Sequence, residues 1–376
     1  MKYCTRCLQT DTRPNIKFNK DGVCPACEYY ELLKEVDWDE REVQLLKIVQ
    51  FGKSNNQSGY DCIIGVSGGK DSLRQAIFVK DVLKMKPLLV CLSYPPEQLT
   101  TRGAENISNL ISLGFDTITI NLSPTLWKKL MQKSFLEHCN WCRSTELALF
   151  SSVPRLAVAY QIPLIWWGEN PGLQLGDLKT LGKDGYDGNN LKHMNTLGGG
   201  DLGWLLGEGI EKKHILQYKY PTDAEMENAN LQIVYLGYFI KDWSLINNGS
   251  YSILHGLDVR SEAPEEIGDT FGITALDEDW VGMNQMIKYL KFGFGRMSDY
   301  MNEEIRIGRI TRERAIELTE KYDGLVGEQY IQSFCDYIEI TVDDFWNLID
   351  QFVNPRLFKK ISRGQYERLY KVGVGL

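Results

Sequence analysis

The segment SGGKDS, residues 67–72, decides the fold of this chain. It directly follows the apolar run 62–66 and opens an amphipathic pattern over 71–85 that predicts a helix. Two glycines let the backbone turn tightly and bring its N–H groups toward an anion, and the helix N-terminus adds a partial positive charge. Ser67 and Ser72 supply hydroxyl donors. The segment therefore predicts a strand–turn–helix that binds a phosphate or pyrophosphate, although it is not the P-loop pattern G-x-x-x-x-G-K-[ST].

Strand and helix patterns alternate on both sides of this segment. The predicted strands are residues 62–66, 87–94, 116–122 and 163–167. The predicted helices between them are residues 71–85, 103–113, 124–137 and 143–160. Strands separated by helix-length segments indicate an α/β fold with a doubly wound parallel sheet.

Two C-x-x-C pairs lie near the N-terminus, Cys4 with Cys7 and Cys24 with Cys27. A segment this short cannot bury enough apolar surface to fold alone, and a bound metal supplies the missing stability. Tetrahedral coordination of Zn²⁺ by four thiolates fits the spacing. Residues 1–30 are therefore predicted to form a zinc ribbon.

Three further regions are predicted after the ribbon. Residues 31–58 hold a connecting helix, over 31–52, and a polar linker. Residues 59–270 are the predicted α/β domain, and residues 271–376 are a helical C-terminal part. The helical patterns of that last part cover residues 280–306, 311–322 and 342–350.

The composition is that of a soluble globular protein, with 376 residues, 43% hydrophobic and 24% charged. No apolar run approaches the roughly 18 residues that cross a bilayer, and the start MKYCTR has no apolar signal segment. A cytoplasmic protein without a membrane partner is therefore expected. The net charge of −8 argues against a nucleic-acid partner, because binding a phosphate backbone usually needs a basic surface.

The segment 67–72 matches S-G-G-x-D-S, the motif of the N-type ATP pyrophosphatase, or PP-loop, superfamily. This resemblance implies the adenine nucleotide alpha hydrolase-like form of the α/β fold. After the strand predicted at 163–167, Gly168, Glu169 and Asn170 are similar to a second hallmark of the superfamily, a G-x-N segment, and Asp177 follows. Ligands gather at the carboxyl ends of strands in open α/β sheets, which fits this position.

The resemblance also implies a reaction and a set of site residues. ATP pyrophosphatases let a substrate oxygen attack the α phosphate of ATP, pyrophosphate leaves, and Mg²⁺ neutralises phosphate charge. The predicted catalytic residues are Asp71, Lys70 and Ser67. The predicted contacts with ATP or pyrophosphate are Ser67, Gly68, Gly69, Lys70, Asp71, Ser72, Gly168 and Asn170.

Over nearly its whole length the chain resembles the N-acetyl sugar amidotransferase family, which makes acetamidino sugars for bacterial surface polysaccharides and flagellin glycans. Besides the ribbon and the phosphate loop, the matching segments are HCNWCRS (138–144), KFGFGR (291–296) and GRITRE (308–313). The resemblance implies ATP-dependent conversion of a sugar acetamido group into an acetamidino group. The chemistry is consistent, because an amide is a poor electrophile and adenylation of its oxygen gives an imidate that ammonia can attack.

Free ammonia is scarce at neutral pH, so the reaction needs a glutaminase as its source. Cys4 is not N-terminal after removal of Met1, and no G-x-C-x-G elbow occurs. The histidines, residues 138, 193, 214 and 255, offer little for a Cys-His-Glu triad. A separate glutaminase partner is therefore predicted, and the family resemblance adds a cyclase-like channel subunit and an acetamido sugar nucleotide as substrate.

The pair Cys139 and Cys142 leaves several interpretations open. It can hold a metal or an iron–sulfur cluster with Cys91 or Cys335 as a third ligand, supply catalytic or substrate-shaping thiols, or pack structurally. Trp141 between the two cysteines can stack on a base or sugar, or pack in the core. A cluster or persulfide at this pair would make the chain a tRNA sulfur-transferase, which is the main alternative to the amidotransferase. A non-catalytic nucleotide-binding scaffold is a third hypothesis.

Four further residues are candidate substrate contacts. Arg143 lies at a predicted helix start beside the cysteine pair, and Glu169 belongs to the G-x-N segment. His255 and Arg260 follow a strand-like apolar run, residues 251–254, where ligand-facing loops are expected. A solvated or structural role is the alternative for these residues.

Overall fold

A parallel sheet lies at the centre of the computed structural model, which describes residues 1–174, 176, 185–194 and 197–376. Its five strands in the described part of the chain are β1 (Cys62–Gly65), β2 (Pro87–Ser93), β3 (Thr117–Asn121), β4 (Leu164–Trp167) and β5 (Gln232–Tyr235). Their order is β3–β2–β1–β4–β5, and all neighbouring pairs are parallel. The doubly wound α/β fold is thereby confirmed. The four predicted strands agree with β1–β4, whereas β5 was not predicted.

The strand order places a topological switch point beside β1. From β1 the chain moves outward through β2 and β3, and it then returns to the other side of β1 to form β4 and β5. Ile63 of β1 pairs with Leu88 of β2 on one side and with Ile165 of β4 on the other. At such a point the loops after the two diverging strands separate and leave a crevice. The segments that follow β1 and β4 therefore face the same crevice.

Helices surround the sheet and form most of the C-terminal part. In the first half of the chain they are α1 (Pro25–Leu33), α2 (Trp38–Asn55), α3 (Lys70–Ile77), α4 (Thr101–Ser112), α5 (Pro124–His138), α6 (Cys142–Tyr160) and α7 (Pro171–Gln174). Beyond them are α8 (Asp223–Asn228), α9 (Leu245–Leu254), α10 (Pro264–Ile267), α11 (Val281–Phe292), α12 (Arg296–Arg306), α13 (Arg312–Tyr322), α14 (Glu328–Ile338) and α15 (Val342–Phe352). Among the described residues, none of these helices combines the length and apolar character that crossing a bilayer requires.

Three helix predictions were wrong in detail. The connecting helix over 31–52 is two helices, because the Asp37 side chain accepts the Asp39 and Glu40 N–H groups and starts α2 afresh. The helix over 71–85 is α-helical only to Ile77 and continues as a π-helical turn, Phe78–Val82. The helix over 280–306 is divided into α11 and α12 at Gly293, whose φ of +81° ends α11.

The run 251–254, predicted to be strand-like, is the last turn of α9. The Ser244 side chain accepts the Asn247 N–H and so caps the start of this helix. A short apolar run cannot by itself distinguish a strand from a buried helix turn, which explains the error. The C-terminal part also contains a hairpin that was not predicted, β6 (Phe358–Ser362) with β7 (Gln365–Arg368), which turns at Gly364 with φ +71°.

One aromatic core joins the α/β part to the C-terminal helices. Phe135 of α5 stacks on Phe345 of α15 at 5.3 Å between ring centroids and meets Phe334 of α14 edge-on at 5.2 Å. All three rings are fully buried. Residues on both sides of position 270 therefore share one hydrophobic core, while the division of the chain at 270 stays a prediction.

Phe135→Ala should lower the free energy of unfolding by about 3–5 kcal/mol, because it removes the ring that fills the junction between α5, α14 and α15. Chemical unfolding followed by tryptophan fluorescence measures the change. The neighbouring variant Leu136→Ala is the matched control, because Leu136 is 45% exposed and its truncation should cost less than about 0.5 kcal/mol. Equal losses in the two variants would contradict this description of the core.

Candidate active site

The phosphate loop between β1 and α3 depends on a left-handed turn at Gly68. Gly68 has φ +80°, and a Cβ added there would lie 2.9 Å from the Asn106 Cβ and 3.1 Å from the Gly103 carbonyl oxygen. Helix α3 begins directly after Gly69, and among the described residues no side chain caps it. Its first backbone N–H groups therefore stay available for an anion, and the helix dipole favours negative charge there.

A hydrogen-bonded network fixes Asp71 beside this turn. One Asp71 oxygen, Oδ2, accepts from Lys70 Nζ at 2.7 Å, and the other accepts from Asn248 Nδ2 at 2.6 Å. Arg74 donates to the Asn248 oxygen at 2.6 Å and thereby sets the orientation of the amide. Lys70 is buried, so its charge is compensated mainly by Asp71. The carboxylate is thus held in a single orientation at the start of α3.

A cavity of about 430 Å³ opens over this network, and we call it the phosphate-loop cavity. It is lined by the loop residues Ser67 and Gly69 to Ser72, by Gly168 and Glu169 after β4, and by the segment 273–277. The carboxyl groups of Asp71, Glu169 and Asp277 all belong to this lining. Because Mg²⁺ prefers oxygen ligands, mainly carboxylates and phosphates, these residues fit the ion that the PP-loop resemblance implies.

Two of these carboxyl groups have strongly raised pKa values. Burial raises the pKa of Glu169 to about 7, and the nearby Asp71 charge adds to the effect. Burial also raises the pKa of Asp277 to about 6. Carboxyl groups that titrate near neutral pH can accept and return protons during a reaction, and such values are common at active sites.

The two nucleotide contacts predicted after β4, Gly168 and Asn170, lie in different surroundings. Gly168 lines the phosphate-loop cavity, and a Cβ there would displace the end of the Gln75 side chain. Asn170 does not line the cavity. Its oxygen accepts the Leu173 N–H at 3.2 Å at the start of α7, and its nitrogen lies 3.3 Å from the Gly237 carbonyl. The structure thus gives Asn170 a capping role instead of the predicted nucleotide contact, and Asp177 lies outside the described residues.

His255 and Arg260 do not line the phosphate-loop cavity either, contrary to their prediction as substrate contacts. His255 ends α9 and stacks on Tyr251 at 4.2 Å. Arg260 is buried and donates to the carbonyl oxygens of Ala275, at 2.6 Å, and Glu278, at 2.8 Å. Because this segment carries Asp277 into the cavity, Arg260 is a positioning residue for the site.

Trp141 is part of the aromatic core. Its ring is fully buried, lies edge-on to Trp280 at 6.4 Å, and its nitrogen donates to the Trp280 carbonyl at 3.3 Å. The structure therefore favours the packing interpretation of Trp141 over stacking on a substrate. Arg143 lies over the Trp204 ring at 5.1 Å. It borders neither the phosphate-loop cavity nor a second cavity that lies between the ribbon and α11.

The described part of the chain does not assemble a cluster site at Cys139 and Cys142. Within the described residues, no third histidine, cysteine or carboxylate ligand joins the two thiols in a compact group, and this includes Cys91 and Cys335. Burial raises the pKa of Cys139 to about 12 and also raises the pKa of Cys142, so both stay protonated near neutral pH. Cys142 Sγ lies 3.3 Å from the Asn284 nitrogen. This geometry favours the structural interpretation of the pair over the sulfur-transferase alternative.

The four N-terminal cysteines do form a compact group. All four are buried, and their sulfur atoms lie within 4.8 Å of one another. Cys7 Sγ is 3.6 Å from Cys24 Sγ, and Cys4 Sγ is 4.0 Å from Cys27 Sγ. Tetrahedral zinc with Zn–S bonds of about 2.3 Å needs sulfur atoms about 3.8 Å apart, so the donor set fits Zn²⁺.

The ribbon is tied to the active-site side of the molecule by Arg306. One guanidinium nitrogen lies 3.9 Å from Cys7 Sγ, and another donates to the Gln174 carbonyl of α7 at 3.1 Å. A buried guanidinium beside four thiolates offsets the net negative charge of a Zn(Cys)₄ centre. The same side chain thus connects the metal group to the helix that follows Asn170.

Sequence reasoning missed three residues that the structure assigns to the site or its support: Asp277, Asn248 and Gln75. Asp277 and Asn248 come from parts of the chain far from the phosphate loop. The only local signal for Asp277 was the acidic run 277–279 after an apolar residue. Their proximity to the loop is a property of the fold, so it required the structure.

Glu169→Gln should change the pH dependence of stability. With a folded pKa near 7 and an ordinary unfolded value of 4.5, the folded protein binds the proton more tightly, so this group removes stability as the pH rises through that window. Urea unfolding without Mg²⁺ or nucleotide measures the free energy of unfolding of both proteins. The variant should exceed the parent in this free energy by more at pH 8 than at pH 5. Glu208→Gln, at an exposed acid outside the cavity, should show no such trend, and a gain independent of pH in Glu169→Gln would contradict the assignment.

Cys24→Ser should reduce the zinc content from about one ion per chain and lower the unfolding temperature, because three thiolates hold the ion more weakly than four. Elemental analysis and thermal unfolding measure the two effects. Cys335→Ala, which removes a thiol of the C-terminal core, should keep its zinc. Full zinc content in Cys24→Ser would refute the ribbon.

Comparison with known proteins gives one family match. Residues 265–372 match the family model described as LPS biosynthesis protein WbpG-like, C-terminal domain. No curated protein matches the chain significantly. Among solved structures, the NH3-dependent NAD synthetase from Campylobacter jejuni subsp. jejuni NCTC 11168, in complex with the nitrate ion, is similar over 38% of this chain and 61% of its own, with 19% identity and a TM-score of 0.30. The chain thus spans less than two thirds of that synthetase. The family match over residues 265–372 supports the resemblance to the N-acetyl sugar amidotransferase family.

Proposed function

We propose that this chain is an ATP-using enzyme of lipopolysaccharide biosynthesis that converts an acetamido group of a sugar into an acetamidino group. The observation that carries the proposal is the uncapped start of α3 behind the left-handed turn at Gly68, which faces a cavity with three carboxyl groups. The family description over residues 265–372 supplies the biosynthetic context. The amidotransferase resemblance of the sequence supplies the type of reaction.

In the first step the amide oxygen of the acetamido group attacks the α phosphorus of ATP. The new O–P bond forms as the bond to the β-phosphate oxygen breaks, and pyrophosphate leaves with the electron pair. The N–H groups at the start of α3 stabilise the charge that develops on the leaving group. Ser67 adds a hydroxyl group to the same lining, whereas the Ser72 hydroxyl donates to the Gly69 carbonyl at 2.9 Å.

Asp71 and Glu169 are the residues that would hold Mg²⁺, which supplies neutralisation of phosphate charge when bound. Lys70 is buried and would be left without a counter-charge if Asp71 moved away, so the ion pair fixes the orientation of that carboxylate. Asn248 holds the second oxygen of Asp71 through a neutral hydrogen bond. The chain thus presents one rigid and one titratable carboxyl group to the phosphates.

In the second step ammonia attacks the imidate carbon, and AMP leaves with its bonding electrons. Before AMP leaves, the added nitrogen of the tetrahedral adduct must lose a proton, so that its lone pair can expel AMP and form the acetamidino group as a cation. Asp277 lines the cavity and burial raises its pKa to about 6, so it can take this proton near neutral pH. A cavity closed to bulk water would protect the imidate from hydrolysis.

The ammonia is proposed to come from a separate glutaminase, with a cyclase-like channel subunit between the two proteins. A glutaminase nucleophile must be an accessible thiolate. All nine cysteines of this chain are buried, and four of them belong to the ribbon. The chain therefore has no exposed cysteine with which to hydrolyse glutamine itself.

Incubation of acetamido sugar nucleotides with ATP, Mg²⁺ and ammonium tests the proposal directly. Mass spectrometry should show a product about one mass unit lighter, because NH replaces oxygen, together with AMP and pyrophosphate in equal amounts. Release of ADP or phosphate instead, or unchanged sugars across diacetamido and monoacetamido substrates, would refute the proposed reaction.

Asp71→Asn should reduce AMP formation by about 100-fold or more, because it removes a charge that acts on the phosphates while keeping the side-chain volume. The fold should persist, which circular dichroism checks. Asp81→Asn is the matched control, since Asp81 is exposed and lies just beyond α3. Normal AMP formation in Asp71→Asn would exclude this residue from the active site.

A further inference from the structure

A second cavity, of about 540 Å³, lies between the ribbon and α11. It is larger than the phosphate-loop cavity and shares no lining residue with it. Ribbon residues 13–17 form one wall, and Lys288, Lys291 and Phe294 lie on the opposite wall. Its volume falls in the range of about 300–1,000 Å³ that small-molecule sites occupy. The mechanism proposed above does not use it.

The lining of this cavity is positively charged, and we call it the basic cavity. Among the described residues, its cationic side chains are Arg13, Lys17, Lys288 and Lys291, against one carboxylate, Glu146. Behind the wall, Asp299 accepts from both Arg13 and Lys288, so two cations share one anion. This excess of positive charge is notable in a chain whose net charge is −8. It is the charge distribution of an anion-binding site.

Lys291 has no acidic partner among the described residues. Its Nζ lies 2.9 Å from the His138 carbonyl oxygen and 3.4 Å from that of Cys139. Burial lowers the pKa of Lys291 and of Lys288, which shows that both ammonium groups lack part of their solvation. An anion bound beside these ammonium groups would compensate for the lost solvation and stabilise their positive charge. Lys17, which is exposed, likewise has no acidic partner in the described part of the chain.

The motif KFGFGR, residues 291–296, positions this wall. Gly295 N–H donates to the Asp323 carboxylate at 2.8 Å, and a Cβ at Gly295 would meet that carboxylate at 2.5 Å. The backbone can therefore turn sharply between α11 and α12. Phe294 is consequently brought under the Arg13 guanidinium, at 4.4 Å from the ring centroid. The motif thus holds a lysine and an aromatic ring on one side of the cavity.

Gln285 adds a polar feature to the lining. Its side-chain oxygen is buried and has no hydrogen-bond partner among the residues that the structure describes. An unpartnered buried acceptor is costly, and a ligand hydroxyl or N–H group would satisfy it. The basic cavity therefore offers cations for an anion and an acceptor for a neutral polar group, which together suit a phosphorylated sugar.

The two cavities are neighbours along α6. Glu146 lines the basic cavity, and Leu149 and Phe150, one turn further, line the phosphate-loop cavity. The charge of Glu146 is close enough to contribute to the raised pKa of Glu169 in the other cavity. The linings of the two cavities therefore lie about one helical turn apart on α6.

We propose that the basic cavity binds the diphosphate of the sugar substrate, so that the acetamido group at the other end of the sugar reaches the phosphate-loop cavity. This inference rests on the proposed function for the position of the acetamido group. The diphosphate is shared by nucleoside-linked and lipid-linked sugars. Lys291 and Lys17 act as its charged ligands, and Gln285 accepts from a sugar hydroxyl.

Calorimetric binding without ATP tests the proposal, with two probes that carry the same sugar diphosphate. One is UDP-N-acetylglucosamine, and the other is N-acetylglucosamine joined through a diphosphate to a short prenyl chain. Lys291→Met should weaken binding of the recognised probe by about tenfold or more, since a charge-assisted hydrogen bond is lost. Lys17→Met should weaken it several-fold, and the exposed Lys359→Met should leave it unchanged.

Preference for one probe identifies the natural carrier as nucleoside or lipid. ATP binding should persist in Lys291→Met and be lost in Gly68→Ala, which separates the two cavities and shows that the lysine variant is folded. The assignment would be overturned if both probes bound to the lysine variants as tightly as to the parent protein. It would also be overturned if neither probe bound to the parent protein. Because no ATP is present, this result is independent of whether the acetamidino product forms.

Discussion

The site depends on the contact between the turn at Gly68 and helix α4. Gly68 lies against Asn106 and Gly103 of α4, and Gly103 lies as closely against Asp277 on its other side, where a Cβ would be 2.5 Å from the Asp277 Cα. The Thr100 N–H and hydroxyl at the start of α4 donate to the Asp277 and Leu276 carbonyls. One helix therefore sets the distance between the anion-binding turn and a carboxyl group far away in the sequence. Interiors are close-packed, so either glycine could be enlarged only by moving this helix.

Buried charge is the second constraint on the site. Lys70, Arg74 and Arg260 are all largely buried, and each binds a carboxylate or carbonyl group that faces or supports the phosphate-loop cavity. Such arrangements contribute little net stability, because desolvation offsets most of the attraction. Their effect here is orientation: Asp71 is held at both oxygens, and the segment with Asp277 is held through its carbonyl groups. Arg306 extends the same principle to the ribbon by joining Cys7 to α7.

The sequence predicted those parts of the site that depend on local geometry. The phosphate loop, residues 67–72, and the four ribbon cysteines could be predicted because each depends on residue types within a short motif. Asp277, Asn248 and the basic cavity depend on which distant helices meet, and periodicity carries no such information. The errors have the same origin. The sequence left open whether Trp141 stacks on a ligand or packs in the core, and the structure encloses it between Trp280 and Phe334. The run 251–254 before His255 was predicted to be strand-like, although Ser244 caps it as a helix.

The central claim is that the turn between β1 and α3 holds the phosphates of ATP. A crystal structure with Mg²⁺ and a nucleotide whose α–β bridging oxygen is replaced by methylene tests this most directly, because the analogue cannot release pyrophosphate. The β and γ phosphates should lie on the backbone N–H groups at the start of α3, with Asp71 beside them. A nucleotide bound in the basic cavity, or elsewhere with this turn vacant, would contradict it.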